Sequence, residues 1–500
     1  MPGTRKNELN ISVLLSYIGL FANVAGSLAV VPIVVNAFGT AEYGLYMLAY
    51  SVGMYVNVDG LGIGGLVVRQ VKAHLTLREE ANQRSFLFQA LLVFALMALA
   101  SFAALMLIGA SAGAIFARSI DAGNIARFRW MLGLTALNCA LMFFYNLIIS
   151  VITGYDKLVF IKGVALFRIL IRVALIIGLI GRLRVESLVV IDLAITAALI
   201  AFTLAYALAK LKVRLRPRFD KGVFRSVFQK TGFVFVSLVS DNVCWNSGSL
   251  IVAMHFGEAS VGVFSIAMTL CGVFSQLSAS ISGLFLPGMT QLVVTHAPPA
   301  ELLKKMISIG RSLMALMTLV IVGFGFVGRE FLVMYLGEAF YHAYSIALPL
   351  MIALLYPSVQ LVGDSVIQAM DRFNARSAIQ LLSSLTAIAL GWWLIPRLGL
   401  EGSWVGLAVS VVVFRVGVTN AYLMRLGLSM RVFFMQTVPR MALVLALLCP
   451  VVWLLFNAAQ TAFIAKCLII SAAYVVLTWL CYFSRDERLK LARLAQRGRG

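Results

Sequence analysis

With 61% hydrophobic and 12% charged side chains across 500 residues, the chain lacks the polar surface of a water-soluble protein, whose charged fraction is about 25%. The net charge of +21 does not point to nucleic acid, because Lys and Arg lie between apolar blocks and no soluble domain remains to present them to a duplex. What is left is an all-α, polytopic membrane protein.

The first apolar block covers 11–36. It is too long for a signal-peptide core and runs into Phe38-Gly39-Thr40-Ala41-Glu42-Tyr43-Gly44, so it reads as a retained span. Further spans are expected over 43–67, 86–115, 127–152, 157–181, 187–209, 229–255, 259–290, 303–327, 340–368, 375–396, 399–423, 438–457 and 461–483. All fourteen are read as helices, since a lipid-exposed segment must satisfy its backbone internally. The short alternating strands of an outer-membrane barrel are absent from the sequence.

Fourteen spans place both termini on one side. Thirty Lys/Arg fall on that side and eight on the other, a bias that assigns both termini to the cytoplasm. The densest stretch, Lys210 to Lys230, holds eight Lys/Arg and one acid, Asp220. The sequence after it echoes the sequence before it. Phe38, Gly39, Ala41, Gly44 and Ala49 recur as Phe256, Gly257, Ala259, Gly262 and Ala267, 218 residues on. Asp156, Lys157, Arg182, Leu183 and Glu186 recur as Asp371, Arg372, Arg397, Leu398 and Glu401, 215 residues on. Two nearly equal offsets argue for one long duplication. Six spans per copy is an even number, so the copies share one orientation and form a parallel repeat about the membrane normal. The expected organisation is a six-helix N-lobe over 1–211, a basic linker over 212–228, a six-helix C-lobe over 229–425, two extra spans over 426–484 and a basic tail over 485–500.

A charge within a span costs roughly 2.5–3.5 kcal/mol on insertion scales and so needs a reason. Arg168 and Arg172 share one face of span 5, with Arg168 near mid-membrane. Two stacked guanidiniums suit an anion in a water-filled cavity, and the planar fork of Arg suits phosphate. The alternative for Arg172 is an internal ion pair with Asp192, at similar depth in span 6. In span 7, Asp241, Asn242 and Trp245 form a polar run, and Asn23 of span 1 occupies the matching place in the first copy. These four are candidate substrate contacts, Asp241 also as a proton or cation site; an interhelical hydrogen bond is the alternative. Asp59, Gln360, Asp364 and Arg415 are read as gate or ion-pair residues. Tyr46, Tyr50 and Asn57 of span 2 could line a cleft or simply pack. No catalytic constellation, metal-ligand spacing, disulfide framework or phosphate-binding glycine loop is readable among the six cysteines, four histidines and forty glycines. Neither a cofactor nor an enzymatic activity is expected.

The Phe38-Gly39-x-x-x-Tyr43-Gly44 motif resembles bacterial polysaccharide flippases of the multidrug/oligosaccharidyl-lipid/polysaccharide exporter superfamily. Asp59-Gly60-Leu61-Gly62, with Arg69 ending the span, is similar to that family's second helix, although its spacing departs from the usual pattern and Asp59 takes no role from it. Ile395-Pro396-Arg397-Leu398-Gly399-Leu400-Glu401-Gly402 looks like the turn between the eleventh and twelfth helices. The resemblance covers most of the chain. It implies two lobes around a central cavity, alternating access, and a lipid-linked oligosaccharide substrate, typically on undecaprenyl diphosphate, moved to the outer leaflet of the inner membrane for lipopolysaccharide or exopolysaccharide assembly. Fourteen helices resemble the lipid II flippases, whose extra pair lies beside the C-terminal lobe. The expectation is therefore a monomeric flippase in contact with membrane lipids, served by glycosyltransferases and a polysaccharide polymerase. A cation-coupled multidrug exporter of the same superfamily is the alternative, disfavoured by arginines where it would need acids. A membrane glycosyltransferase or polymerase is a third, disfavoured by the duplication and short loops.

Overall fold

A computed structural model describes residues 2–57, 64–182, 184–217, 219–295, 297–370, 373–458 and 463–483. Every regular element among them is helical. In chain order these are α1 (Pro2–Phe38), α2 (Thr40–Met54), α3 (Gly65–Leu77), α4 (Glu80–Ile115), α5 (Ala122–Gly154), α6 (Leu158–Leu179), α7 (Ser187–Ala209), α8 (Lys221–Val294), α9 (Pro299–Leu336), α10 (His342–Ala369), α11 (Phe373–Leu398), α12 (Glu401–Ser410), α13 (Thr419–Arg425), α14 (Met430–Ala458) and α15 (Phe463–Leu477). A π-helical segment, Val411–Val418, joins α12 to α13, and another, Thr478–Tyr482, ends α15.

Twelve helices among the described residues are long and apolar enough to cross a membrane, so the chain is a multi-pass membrane protein. Two features reconcile this with fourteen expected spans. The membrane-length part of α8, Lys221–Ser282, holds 62 residues, about 93 Å at 1.5 Å per residue or some three bilayer cores. It is two helical limbs meeting at Gly257, whose φ of 75° and ψ of −177° are not helical. The second expected span, 43–67, overlaps α2, of 15 residues, and only the start of α3, of 13 residues, each short of the roughly 20 needed to cross.

The repeated motif has the same backbone in both copies. Gly39 precedes α2 with φ 84° and ψ 171°, matching Gly257. That region is open to glycine and essentially closed to other residues, which is why both copies carry glycine there. The lower limb of α8 begins earlier than the sequence expectation of 229. Asp220 Oδ1 accepts hydrogen bonds from the backbone N–H of Gly222 (2.8 Å) and Val223 (3.1 Å), an N-cap that starts the helix at Lys221.

The chain divides into two compact units, Met1–Ser265 and Ile266–Gly500. In the first, Phe94 and Phe143 are fully buried with Val67 and Val227, joining α3, α4, α5 and the start of α8. Met142, Tyr145 and Ile149 of α5 pack with Val164 of α6 and Leu199 of α7, and α1 lies along α6. In the second unit, α9 is the hub for α14 and α15. Leu313, Val359, Phe433, Val444 and Tyr474 share one core. Tyr474 Oη donates to the Ala315 carbonyl (2.7 Å) and Tyr482 Oη to the Thr437 carbonyl (3.2 Å). The buried Arg311 guanidinium donates to the Tyr482 carbonyl and lies 5.2 Å from that ring.

Candidate functional site

Helices of the first unit bring polar side chains to one cavity of about 480 Å³. Asn23 enters from α1, Tyr46 and Tyr50 from α2, Asn57 from just beyond it, Asn138 and Asn146 from α5, Lys162, Arg168 and Arg172 from α6, and Asp192 from α7. The volume suits a small-molecule site. Of the charged groups lining it, three are cations and one is a carboxylate. Each arrives by helical spacing. Lys162, Ala165, Ile169 and Arg172 follow one stripe of α6, with Arg168 beside it.

The fork of Arg172 engages Asp192 with both arms, Nε to Oδ1 at 2.6 Å and Nη2 to Oδ2 at 3.2 Å. Its Nη2 also donates to Tyr46 Oη (3.1 Å). The ion-pair alternative for Arg172 is therefore realised, and within the cavity. Arg168 lies one turn away along α6, about 6 Å by helical rise, and Lys162 about 9 Å below it on the side of the basic stretch. Asn138 Oδ1 is buried with no hydrogen-bond partner among the described residues. Buried acceptors are rarely left unmet, so this atom is suited to a donor on a ligand. Neither Lys162 nor Asn138 stands out in the sequence. Lys162 reads there as a topological charge only, and a lone amide in an apolar span carries no spacing signal.

The polar run on α8 is placed differently. Asn242 Nδ2 donates to the Asn57 carbonyl (2.9 Å) where α2 has ended, which makes it a backbone cap beside the cavity. Neither Asp241 nor Trp245 lines the cavity, so the structure does not bring them together with Asn23 there. Asp59 lies outside the described residues. Asp364 belongs to α10, but its side chain is outside the described part. In the second unit, Gln360 Nε2 donates to Asn420 Oδ1 (2.6 Å) and Asn420 Nδ2 to Tyr356 Oη (3.4 Å). Arg415 sits in the π-helical segment, a type of helix defect common at functional sites.

A second polar cluster ties the opposite helix ends of the first unit. Arg127 of α5 donates Nη1 to Glu42 Oε1 (2.6 Å), Nη2 to Glu42 Oε2 (2.5 Å) and Nε to Glu186 Oε1 (2.5 Å). Asn124 Nδ2 reaches Glu258 Oε1 (3.2 Å). Burial opposes ionisation of Glu186, yet the hydrogen bond from Arg127 and the residue's own backbone hold its carboxyl below the usual range. Beside this cluster the two copies of the repeated motif meet. A Cβ on Gly44 would fall 1.8 Å from the Glu258 carbonyl oxygen, and one on Gly262 would fall 2.9 Å from that of Thr40. α2 and the upper limb of α8 are thus in backbone contact.

No protein-family model matches the sequence, and no curated protein sequence does. Solved structures match over nearly the whole chain. The lipid II flippase MurJ in an inward closed conformation aligns with a TM-score of 0.72 at 12% identity, over 94% of this chain and 98% of that one. The MATE multidrug transporter DinF-BH aligns at 0.60 and 17% identity, over 84% and 95%. An inward-facing multidrug resistance MATE family transporter of the MOP superfamily aligns at 0.56 and 12% identity, over 85% and 98%. At these identities the shared property is the architecture: the chain has the fold of the MOP-superfamily transporters.

Proposed function

We propose that this protein is a flippase of that superfamily, moving a polyprenyl-diphosphate-linked oligosaccharide from the cytoplasmic to the outer leaflet of the bacterial inner membrane by alternating access, for surface polysaccharide assembly. The observation that carries this reading is the charge of the cavity among the described residues: Lys162, Arg168 and Arg172 against the carboxylate of Asp192. A cation-coupled drug exporter needs carboxylates that can hold a proton or a cationic substrate. Here the carboxylate found among the described lining residues, Asp192, is held by Arg172 at 2.6 Å. A diphosphate suits Arg168 and Lys162, and the amides of Asn138 and Asn146 offer hydrogen-bonding groups to sugar hydroxyls.

In this reading Arg168 holds the head group, Arg172 is positioned by Asp192 and Tyr46, and Asn23 borders the same cavity. The test is binding by purified protein. A polyprenyl-diphosphate oligosaccharide should bind with an affinity that falls with salt and falls at least tenfold in Arg168→Ala, about 1.4 kcal/mol. Tighter binding of a lipophilic cation, unaffected by Arg168→Ala, would favour the drug exporter.

A further inference from the structure

A second concavity in the first unit is apolar and lies apart from the polar cavity. It holds about 720 Å³ between α4, α5 and α7, with Leu87, Leu91, Phe144 and Leu204 among its walls. Its upper wall reaches Leu141, three to four turns above the Gly154 end of α5. That is about 20 Å at 1.5 Å per residue, enough to cover the roughly 15 Å of hydrocarbon in one leaflet. Its lower end is closed by the stretch after α7, where Arg214 and Leu215 complete the lining.

That stretch is a strap. Lys210, Lys212, Arg214 and Arg216 alternate with Leu211, Val213 and Leu215, and residues 212–217 form no helix. The left-handed backbone of Lys212, φ 53°, turns the chain after α7, and beyond it Val213, Arg214 and Leu215 all reach the groove. Backbone bonds pin it at two points: the Val213 N–H donates to the Ala207 carbonyl (3.2 Å) and the Arg216 N–H to the Arg84 carbonyl (3.3 Å). Val213 packs against the core of α3, α4 and α5. Glu80, one turn from the strap's second anchor, is paired with Arg84 at 2.6 Å, so it does not cancel the strap's charge.

We infer that this groove is a binding site for an anionic phospholipid of the cytoplasmic leaflet, one acyl chain lying between α4, α5 and α7 and the phosphate meeting Arg214 and its basic neighbours on the strap. Ordinary lipid-facing surface has neither the concavity nor the cation at its rim. Basic residues near a bilayer surface each contribute about 1 kcal/mol to anionic lipid binding, and Lys and Arg stems lie along apolar surface while their heads reach the phosphate. The site is independent of the transported substrate, which is assigned to the polar cavity.

The test titrates the purified full-length protein with phosphatidylglycerol, phosphatidylcholine and a polyprenyl phosphate, read by native mass spectrometry. Phosphatidylglycerol should bind more tightly than phosphatidylcholine. Arg214→Gln should weaken it about fivefold, the ~1 kcal/mol expected per basic residue, and Leu204→Trp, which fills the groove, should weaken both phospholipids. Salt should weaken phosphatidylglycerol alone in the unmodified protein, a readout that needs no variant. Equal binding of the two phospholipids, insensitivity to Arg214→Gln, or displacement of phosphatidylglycerol by polyprenyl phosphate would overturn the assignment.

Discussion

Arg168 and Arg172 sit one turn apart on α6, yet their removal has different expected consequences. Arg168→Ala should abolish transport with folded protein still present in the membrane. Arg172→Ala should destabilise the fold, because Asp192 keeps its charge and loses its partner; the pair is partly exposed, so the cost should fall below the about 3–5 kcal/mol of breaking a fully buried pair. Replacing both, as in Arg172→Leu with Asp192→Leu, should recover most of the melting temperature. If Arg172→Ala melts like the unmodified protein, the pair has no structural role. Asn138→Leu should weaken binding of the oligosaccharide but not of bare polyprenyl diphosphate, since the orphaned Oδ1 is assigned to sugar.

Glu186 carries the pH prediction. Its carboxyl is held below the usual range in the folded protein. The stability it contributes is complete above its unfolded value of about 4.3 and is lost as pH falls through the lower, folded value. Melting temperature should therefore drop as acidification carries the pH through that window, and Glu186→Gln should flatten this part of the profile. The Arg172–Asp192 pairing was legible in the sequence, because counting turns from each span end placed both groups at one depth. The Arg127 cluster was not. Glu42, Arg127 and Glu186 come from three separate parts of the chain, and sequence assigns such residues only to a side of the membrane.

At the scale of the element, the repeated motif is where sequence and packing meet. Gly44→Ala places a methyl group against the Glu258 backbone, which has no flexible end to move aside, so α2 and the upper limb of α8 must separate. A fall of several degrees in melting temperature is expected. Gly65→Ala, where nothing lies within 4 Å, should leave stability unchanged or raise it, as alanine favours helix. Equal effects at the two positions would mean that the backbone contact contributes nothing. The recurrence of Phe-Gly and of the second glycine was visible in the sequence. That the two copies touch was not, since a repeat offset states which segments are equivalent and not which are neighbours. Helix starts were likewise missed where one capping side chain decides them. Asp220 stood out only as the single acid in a basic run, yet it starts α8. Asp220→Ala should cost about 1 kcal/mol, measurable as a lower melting temperature.

For the whole molecule, hydropathy and the need to satisfy backbone groups in lipid were enough to fix an all-helical, multi-pass architecture. The MOP-superfamily fold followed from residues 38–44 and 395–402 by resemblance and from the structural neighbours by shape. Substrate class was less legible, because it depends on which helix faces converge. α6 alone displays Lys162, Arg168 and Arg172, and only its packing with α1, α2, α5 and α7 makes them the walls of one cavity.

The measurement that tests the central claim most directly is mass spectrometry of lipid extracts from cells lacking this protein, complemented with either the unmodified chain or Arg168→Ala. The account predicts that a polyprenyl-diphosphate oligosaccharide accumulates in the deletion strain, disappears on complementation with the unmodified chain, and persists with Arg168→Ala although that variant reaches the membrane folded. A lipid pool unchanged by the deletion, or full rescue by Arg168→Ala, would contradict it.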